Sequence, residues 1–270
     1  MPSLAGYLDR IGLEGQVRPD FATLAALHRA HLEVIPFENL DVQLGRPGGV
    51  ALEAVYEKIV RQQRGGWCYE MNGLMCWALQ EIGFDVTRMA GGVMRNVLGD
   101  RQMGNHLCLL VNLDRHYLVD VGFGGSLAAP MPLEAGERPD TPFRVRLSQP
   151  EQGVWRYEEQ AHGDPFSFDF SATVADEALF EDKRRFLESN PASPFVQNLV
   201  VQRRDRDQHL TLRGRVLTLT DGHGVNKVVL TSAEDLVSTL KHRFGLDIPE
   251  AASLWPAICQ RHEALFPALP

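Results

Sequence analysis

The spacing of apolar residues changes character near Gly83. Before it, apolar positions recur at i, i+3 and i+4, the rhythm of helices with one buried face. Leu4, Tyr7, Leu8 and Ile11 share a face behind Ser3, whose hydroxyl can cap a helix start, and Gly12 closes the turn. Asp20 is the equivalent cap before Leu24, Leu27 and His31, and Pro36 stops that helix. Gly45, Pro47, Gly48 and Gly49 mark a loop. Leu52, Val55, Tyr56, Ile59 and Val60 give a third helix, and Leu74, Met75, Trp77, Ala78 and Leu79 a fourth that runs from Tyr69 to about Ile82. The spacing predicts a helical bundle over residues 1–84.

Beyond Gly83 the period shortens to that of strands. Strands are predicted over Val86–Val93, His106–Leu113, Tyr117–Val121, Phe143–Leu147, Val154–Glu158, Phe166–Phe170 and Leu199–Gln202. Gly91-Gly92 suggests a bulge in the first of these, and the polar residues from Asn96 to Asn105 read as a loop. Pro130, Pro132, Pro139, Pro142 and Pro150 punctuate the connections. Glu181-Asp182-Lys183-Arg184-Arg185 reads as the solvated face of a helix. Leu210–Leu212, Val216–Thr220 and Val225–Leu230 follow as strands, turning at Arg213-Gly214 and Asp221-Gly222. Ser232 then caps a helix carrying Leu236, Leu240 and Phe244 and ending at Gly245. The expectation is an α+β chain of three units: a bundle over 1–84, an antiparallel barrel over 85–198 and a small α/β unit over 199–270.

Composition narrows the class. The chain has 270 residues, 44% of them hydrophobic, enough for a sizeable core. A net charge of −8 fits a soluble acidic enzyme and argues against non-specific nucleic-acid binding. Met1 to Leu13 carry Asp9 and Arg10 with no long apolar run, so no signal peptide is expected, and no membrane span either. Cys68, Cys76, Cys108 and Cys259 form no C-x-x-C pair, which points to a reducing, cytoplasmic setting and to neither a zinc site nor a disulfide framework.

The chemistry centres on Arg64-Gly65-Gly66-Trp67-Cys68-Tyr69-Glu70-Met71-Asn72. Two glycines, which permit positive φ and close backbone approach, lead to a cysteine at a helix start. There the unpaired N–H groups and the helix dipole favour a thiolate. A lone cysteine is more often a small buried hydrophobe, but partners for a nucleophile exist downstream. His106 opens a strand after a polar loop, on one face with Cys108 and Leu110. Asp120 lies between Val119 and Val121, where a carboxylate needs hydrogen-bond partners. His106 and Asp120 share a face only if their hairpin loop has an odd residue count or a bulge. Asp114-Arg115 is a poor two-residue turn, so a three- or five-residue loop or a bulge is expected. Glu38, between Phe37 and Asn39, needs a partner, and Arg64 is the natural one. His28 and His31, on or near an apolar face, read as satisfied core or rim histidines. Gly122-Phe123-Gly124-Gly125 reads equally as a tight rim turn or as a backbone nest for an acyl or phosphate group.

These segments together resemble the arylamine N-acetyltransferases of bacterial length. The resemblance rests on Pro36-Phe37-Glu38-Asn39-Leu40, the cysteine stretch, Asn105-His106-Leu107, Val119-Asp120-Val121-Gly122-Phe123-Gly124 and Ser189-Asn190-Pro191-Ala192-Ser193-Pro194-Phe195, all in family order. Trp67, and Tyr69 where phenylalanine is common, depart mildly from the pattern. The resemblance implies a helical bundle and barrel similar to cysteine proteases and transglutaminases, closed by the α/β unit as a lid. It implies Cys68, His106 and Asp120 as a catalytic triad, with acetyl-CoA acetylating Cys68 and an arylamine or arylhydrazine taking the acetyl group. It further implies Phe37, Val93, Phe123 and Phe195 as an aromatic pocket, with Glu38, Arg64 and Asn72 in structural support. Met103 and Gly104, with Gly124, Gly125 and Ser126, are the expected CoA contacts, with no metal and a monomer or weak homodimer. A triad cysteine hydrolase and an amide synthase of related fold are the alternatives.

Overall fold

The computed structural model describes residues 1–266 apart from Pro47, His162 and Asp164. The expected loop residue Pro47 and the last four residues of the expected third unit therefore lie outside the described residues. The first helices follow the sequence pattern closely. Helix α1 (Leu4–Arg10) starts on the Ser3 hydroxyl and α2 (Phe21–Val34) on Asp20, whose Oδ1 accepts from the Thr23 N–H at 2.8 Å. Two short elements come next, strand β1 (Phe37–Glu38) and helix α3 (Leu40–Gln43). The third expected helix is α4 (Leu52–Tyr56), which continues as a wider π turn over Glu57–Arg61. Helix α5 (Cys68–Ile82) begins at the cysteine and ends on Gly83 at φ 102°.

The middle of the chain is an antiparallel sheet of eight strands. These are β2 (Asp85–Val93), β3 (His106–Asn112), β4 (His116–Val119), β5 (Met131–Pro132), β6 (Gly136–Asp140), β7 (Phe143–Glu151), β8 (Val154–Gln160) and β9 (Phe166–Phe170), with the short helix α6 (Arg95–Leu98) after β2. Their spatial order is β5-β4-β3-β2-β9-β8-β7-β6. The expected barrel is corrected here: the sheet curls as a half-barrel and its two end strands, β5 and β6, do not pair with each other among the described residues. The prolines in these two segments predict loops. Both segments are strands because Pro132 and Pro139 sit on sheet edges, where a missing N–H leaves no ladder bond broken.

Helices α7 (Glu177–Ser189) and α8 (Pro194–Gln197) lead to a second sheet. It contains β10 (Val200–Asp205), β11 (Gln208–Arg213), β12 (Val216–Asp221) and β13 (Gly224–Val229), flanked by α9 (Ala233–Phe244) and α10 (Trp255–Leu265). Strand β1 completes this sheet by pairing with β10, Phe37 facing Gln202 and Glu38 facing Val201. A segment of the helical region thus enters the sheet of the C-terminal region. Nothing in the local pattern of Pro36–Leu40 signals it. No helix among the described residues is long and apolar enough to cross a membrane.

Strand β3 joins two hydrophobic cores. Its odd residues Leu107, Leu109 and Val111 pack with Leu74 and Leu79 of α5, Leu24 and Leu27 of α2, and Tyr7. Its even residues Cys108 and Leu110 face the inside of the curled sheet with Met89, Tyr157, Phe168 and Phe170. His106 carries the even parity, so the sheet interior is its side. The expected bulge at Gly91-Gly92 is absent: β2 stays in register with β3 from Asp85 to Gly91. These glycines instead make room. A Cβ on Gly91 would lie 3.1 Å from His106 Cδ2, and one on Gly92 2.9 Å from Met103 Sδ.

Candidate active site

Cys68 is the first residue of α5, and the approach to it is fixed from both sides. A Cβ on Gly65 would come within 2.1 Å of the Pro36 carbonyl oxygen, so close approach and not positive φ is what requires this glycine. The Gly66 N–H donates to Pro36 O at 3.2 Å and Gly66 O accepts from the Glu38 N–H at 2.8 Å. On the helix side, Glu70 Oε2 accepts from the Trp67 N–H at 3.1 Å. The Tyr69 hydroxyl donates to the Gly104 carbonyl, tying the loop before His106 to α5.

Charged side chains lock this approach from beneath. Glu38 is fully buried and accepts from Arg64 Nε at 3.1 Å, Arg64 Nη2 at 2.8 Å and the Leu40 N–H at 2.7 Å. Lys58, which the sequence pattern did not single out, reaches Asp41 and Glu70 at 2.9 Å each and Glu38 at 4.0 Å. Burial pushes the Glu70 carboxyl up to about 7 against the Lys58 ammonium, which pulls it down. Replacing Arg64 by Ala leaves Glu38 with the Leu40 N–H and, as a cation, the distant Lys58. A loss of about 3 kcal/mol is expected, as for one partner removed from a buried pair. Urea denaturation checks it, and a loss within experimental error would show that Lys58 alone satisfies Glu38.

The hairpin after β3 has a three-residue loop, Leu113–Arg115, with Asn112 facing His116 and Leu109 facing Val119. That odd count gives His106 and Asp120 one face, and His106 Nε2 lies 2.6 Å from Asp120 Oδ2. Asp120 Oδ1 accepts from Asn72 Nδ2 and from the Gly122 N–H, both at 2.8 Å. Asn72 stands one helical turn beyond Cys68. It also donates to Leu107 O at 2.6 Å and accepts from the Val121 N–H at 2.9 Å. One side chain thereby binds the cysteine helix to both strands of the hairpin. A Cβ on Gly122 would meet Cys68 Cα at 2.7 Å, so the Asp120 loop packs directly on the cysteine.

Burial alone would lower the His106 pKa, but the Asp120 carboxylate, with a hydrogen bond and charge from Cys68 added, raises it to about 10. With Nε2 on Asp120, Nδ1 is the ring nitrogen left for the thiol. His28 is a further support that the sequence left as a core histidine. Its Nε2 lies 3.4 Å from the Asp120 N–H, and burial holds its pKa down at about 4, so a neutral ring offers the lone pair.

Cys68 and His106 open on a cavity of about 360 Å³. Phe37, Val93, Phe123 and Phe195 all line it. Phe166, Met94 and Leu98 line it too and were not anticipated. Phe166 stacks on Phe123 at 5.1 Å and 14°, and Phe168 lies 4.7 Å from the His106 ring. Taken alone, each phenylalanine reads as core in sequence, because burial against a cavity and burial against a neighbour give the same pattern.

The five expected CoA contacts lie away from the open space. Met103, Gly104, Gly124, Gly125 and Ser126 line neither this cavity nor the larger cleft of about 1100 Å³ that joins it at Phe166, Gln202, Thr211 and Arg213. Gly124 O accepts from His209 Nε2 at 2.6 Å, Gly125 O accepts from Arg204 Nη1 at 3.1 Å, and Ser126 Oγ lies 3.1 Å from the Tyr157 hydroxyl. The turn is a buried junction between the two sheets. Gly104 is buried under Leu179, and Met103 lies under Gly92. The large cleft instead carries Arg213, Arg215, Lys227 and Arg261. No group of three or more His, Cys, Asp or Glu that could hold a metal ion occurs among the described residues.

A cysteine, an imidazole and a carboxylate in series beside an aromatic cavity can carry out acyl transfer. Comparison with known proteins points the same way. A model of the N-acetyltransferase family matches residues 20–253. The arylamine N-acetyltransferase of Mycolicibacterium smegmatis is 36% identical over 266 residues, covering 92% of this chain and 94% of its own length. Human arylamine N-acetyltransferase 1 is 30% identical over 274 residues, covering 91% and 94%. The Mycobacterium marinum arylamine N-acetyltransferase in complex with CoA superposes with a TM-score of 0.85 at 32% identity, over 96% of this chain and 99% of that one. On this fold, this site and these matches, the chain belongs to the arylamine N-acetyltransferase family.

Proposed function

We propose that this protein moves an acetyl group from acetyl-CoA to the nitrogen of arylamines or arylhydrazines through an acetyl-Cys68 thioester. The observation that carries the reading is the ordered contact series of Cys68, His106 and Asp120 at the wall of an aromatic cavity. In the first half-reaction the Cys68 sulfur attacks the acetyl carbonyl, and unpaired N–H groups at the start of α5 steady the oxyanion. CoA leaves as its thiol, taking the proton from His106. In the second, the amine attacks the thioester while His106 Nδ1 removes its proton, and Cys68 is released. Asp120 keeps the proton of neutral His106 on Nε2, so that Nδ1 is the base, and offsets the charge of the imidazolium.

CoA fits the large cleft, its pantetheine end at Cys68 and its phosphates toward Arg213, Arg215, Lys227 and Arg261. Phe37, Val93, Phe123 and Phe195 hold the aromatic acceptor, and Glu38, Arg64 and Asn72 keep the cysteine turn in place. We read residues 1–84 and 85–198 as a catalytic core of cysteine-protease kind, with 199–270 as its lid, in a cytoplasmic enzyme of xenobiotic metabolism. The test is intact-protein mass spectrometry after brief mixing with acetyl-CoA. One acetyl adduct, discharged on adding an aniline with formation of the acetanilide, is expected. Continuous CoA release without amine would make the protein a hydrolase. No adduct would remove acetyl-CoA as donor.

A further inference from the structure

Glu159 on β8 has no part in the chemistry above, yet it stands on the inner face of the curled sheet. It faces Val145 of β7 and Phe166 of β9, one row along from Tyr157 and Phe168. Phe166 stacks on Phe123 at 5.1 Å, and Phe123 lies edge-on to His106 at 5.3 Å. Phe123 and Phe166 line the Cys68 cavity, and Phe166 and Glu159 line the cleft that continues it. An open route therefore runs from the cysteine along two aromatic rings to a carboxyl group.

That carboxyl is incompletely bonded. Glu159 Oε2 is buried and has no hydrogen-bond partner among the described residues. A buried carboxyl that served only the fold would have both oxygens satisfied, because an orphaned one keeps its full desolvation cost. Burial raises its pKa to about 8, against a lowering by the Ser126 hydroxyl, with Asp120 and Asp140 raising it further and Arg204 lowering it. Arg204 is already engaged by Asp140 at 2.8 Å and by the Gly125 carbonyl at 3.1 Å. His209, on the same cleft, donates from Nε2 to Gly124 O and is neutral, its pKa held down near 4 by burial. Among the described residues no group donates to Oε2, and the cations of the cleft, Arg213, Arg215, Lys227 and Arg261, are not bonded to it.

We propose that Glu159 forms a distal acceptor subsite that selects elongated aromatic amines carrying a second, hydrogen-bond-donating nitrogen, most strongly a cationic one. The reacting nitrogen lies at Cys68, two aromatic units fill the space along Phe123 and Phe166, and the second nitrogen donates to Glu159. A cation there draws the carboxyl into its ionised form, and a neutral N–H donor is accepted by either form. The subsite rests on the reading of Cys68 as the site of transfer.

The test is calorimetric binding without acetyl-CoA, using 4′-aminobiphenyl-4-carboxamidine against 4′-methylbiphenyl-4-amine. The wild type is expected to prefer the amidine by about ten-fold or more, the scale of a hydrogen bond to a charged group. Glu159→Gln should narrow that preference, and Glu159→Leu should erase it. Equal affinities in the wild type, or a preference that survives in both variants, overturns the subsite. Glu159→Gln keeps the side-chain shape, so the comparison stands if the leucine variant does not fold. Acetylation of Cys68 in the same preparations is read separately. An adduct without amidine preference refutes the subsite alone. Amidine preference without an adduct leaves a binding site at Glu159 and overturns both the acetyl-transfer reading and the subsite's role for an acceptor.

Discussion

Cys68→Ala is expected to abolish both the acetyl adduct and arylamine acetylation, with a loss of about 10⁴-fold or more in kcat/KM, as when a nucleophile that forms the covalent intermediate is removed. Loss of the fold is not the expected cause. Cys68 is 3% exposed, and besides its hydrogen bond with His106 its sulfur makes one weak contact, 3.9 Å to the Asn105 carbonyl. The turn around it is held by Glu38, Arg64, Glu70 and Tyr69, none of which bonds the sulfur. The thermal midpoint of the variant should therefore stay within a few degrees of the wild type. Cys68→Ser should resemble alanine in rate, because a serine hydroxyl is a far poorer nucleophile than a thiolate at neutral pH. Turnover retained by the alanine variant, with no adduct in the wild type, would mean that the amine attacks acetyl-CoA directly and that Cys68 only packs.

Asp120→Asn should cost about 10³ to 10⁴ in kcat/KM while keeping the site's shape, the loss that follows when a triad histidine is held in the wrong tautomer. Asp120 Oδ1 serves two donors, Asn72 Nδ2 and the Gly122 N–H. An asparagine must keep its carbonyl oxygen there. Its NH2 then faces His106 Nε2, which must accept. The proton of a neutral His106 moves to Nδ1, on the cysteine side, and that nitrogen can no longer act as a base.

The same substitution has a pH signature. His106 in the native protein is raised to about 10 from an ordinary value near 6.5. A raised pKa contributes stability that is fully present below about 6.5 and is lost as pH climbs through about 10. The stability gap between wild type and Asp120→Asn should thus be widest near pH 6.5 and close progressively toward pH 10. Urea denaturation across that range checks it. A gap that does not change with pH would mean that His106 is neutral in the folded protein.

The chain dictates more of the chemistry than of the architecture around it. Helix starts at Ser3, Asp20 and Ser232 were legible because each cap acts on a backbone N–H two or three residues away. The cysteine helix and its stop at Gly83 were legible for the same local reason. Even the His106–Asp120 pairing could be argued from parity, since strand faces alternate and Asp-Arg is a poor two-residue turn. What failed were inferences that needed a distant partner. Gly91 and Gly92 looked like a bulge, but they are small because His106 and Met103 press on them. Gly124-Gly125 reads equally as a rim turn or a nest in sequence, and only Arg204 and His209, some eighty residues on, show what its carbonyls do.

Read alone, the sequence carries the helix and strand periods, the cysteine at a helix start, and the residue types from which a transfer site could be built. All of these depend on contacts within a few residues. Tertiary structure decided that the sheet stays open at β5 and β6, that Phe166 and Phe168 join Phe123 around His106, and that Asn72 clasps Asp120 across 48 residues. It also decided that a carboxyl on β8 is left with an orphaned oxygen at the end of the aromatic row. The physical reason is one of range. Propensity, capping and alternation act along the backbone, whereas cavities, buried charges and shared hydrogen bonds exist only after remote segments have packed.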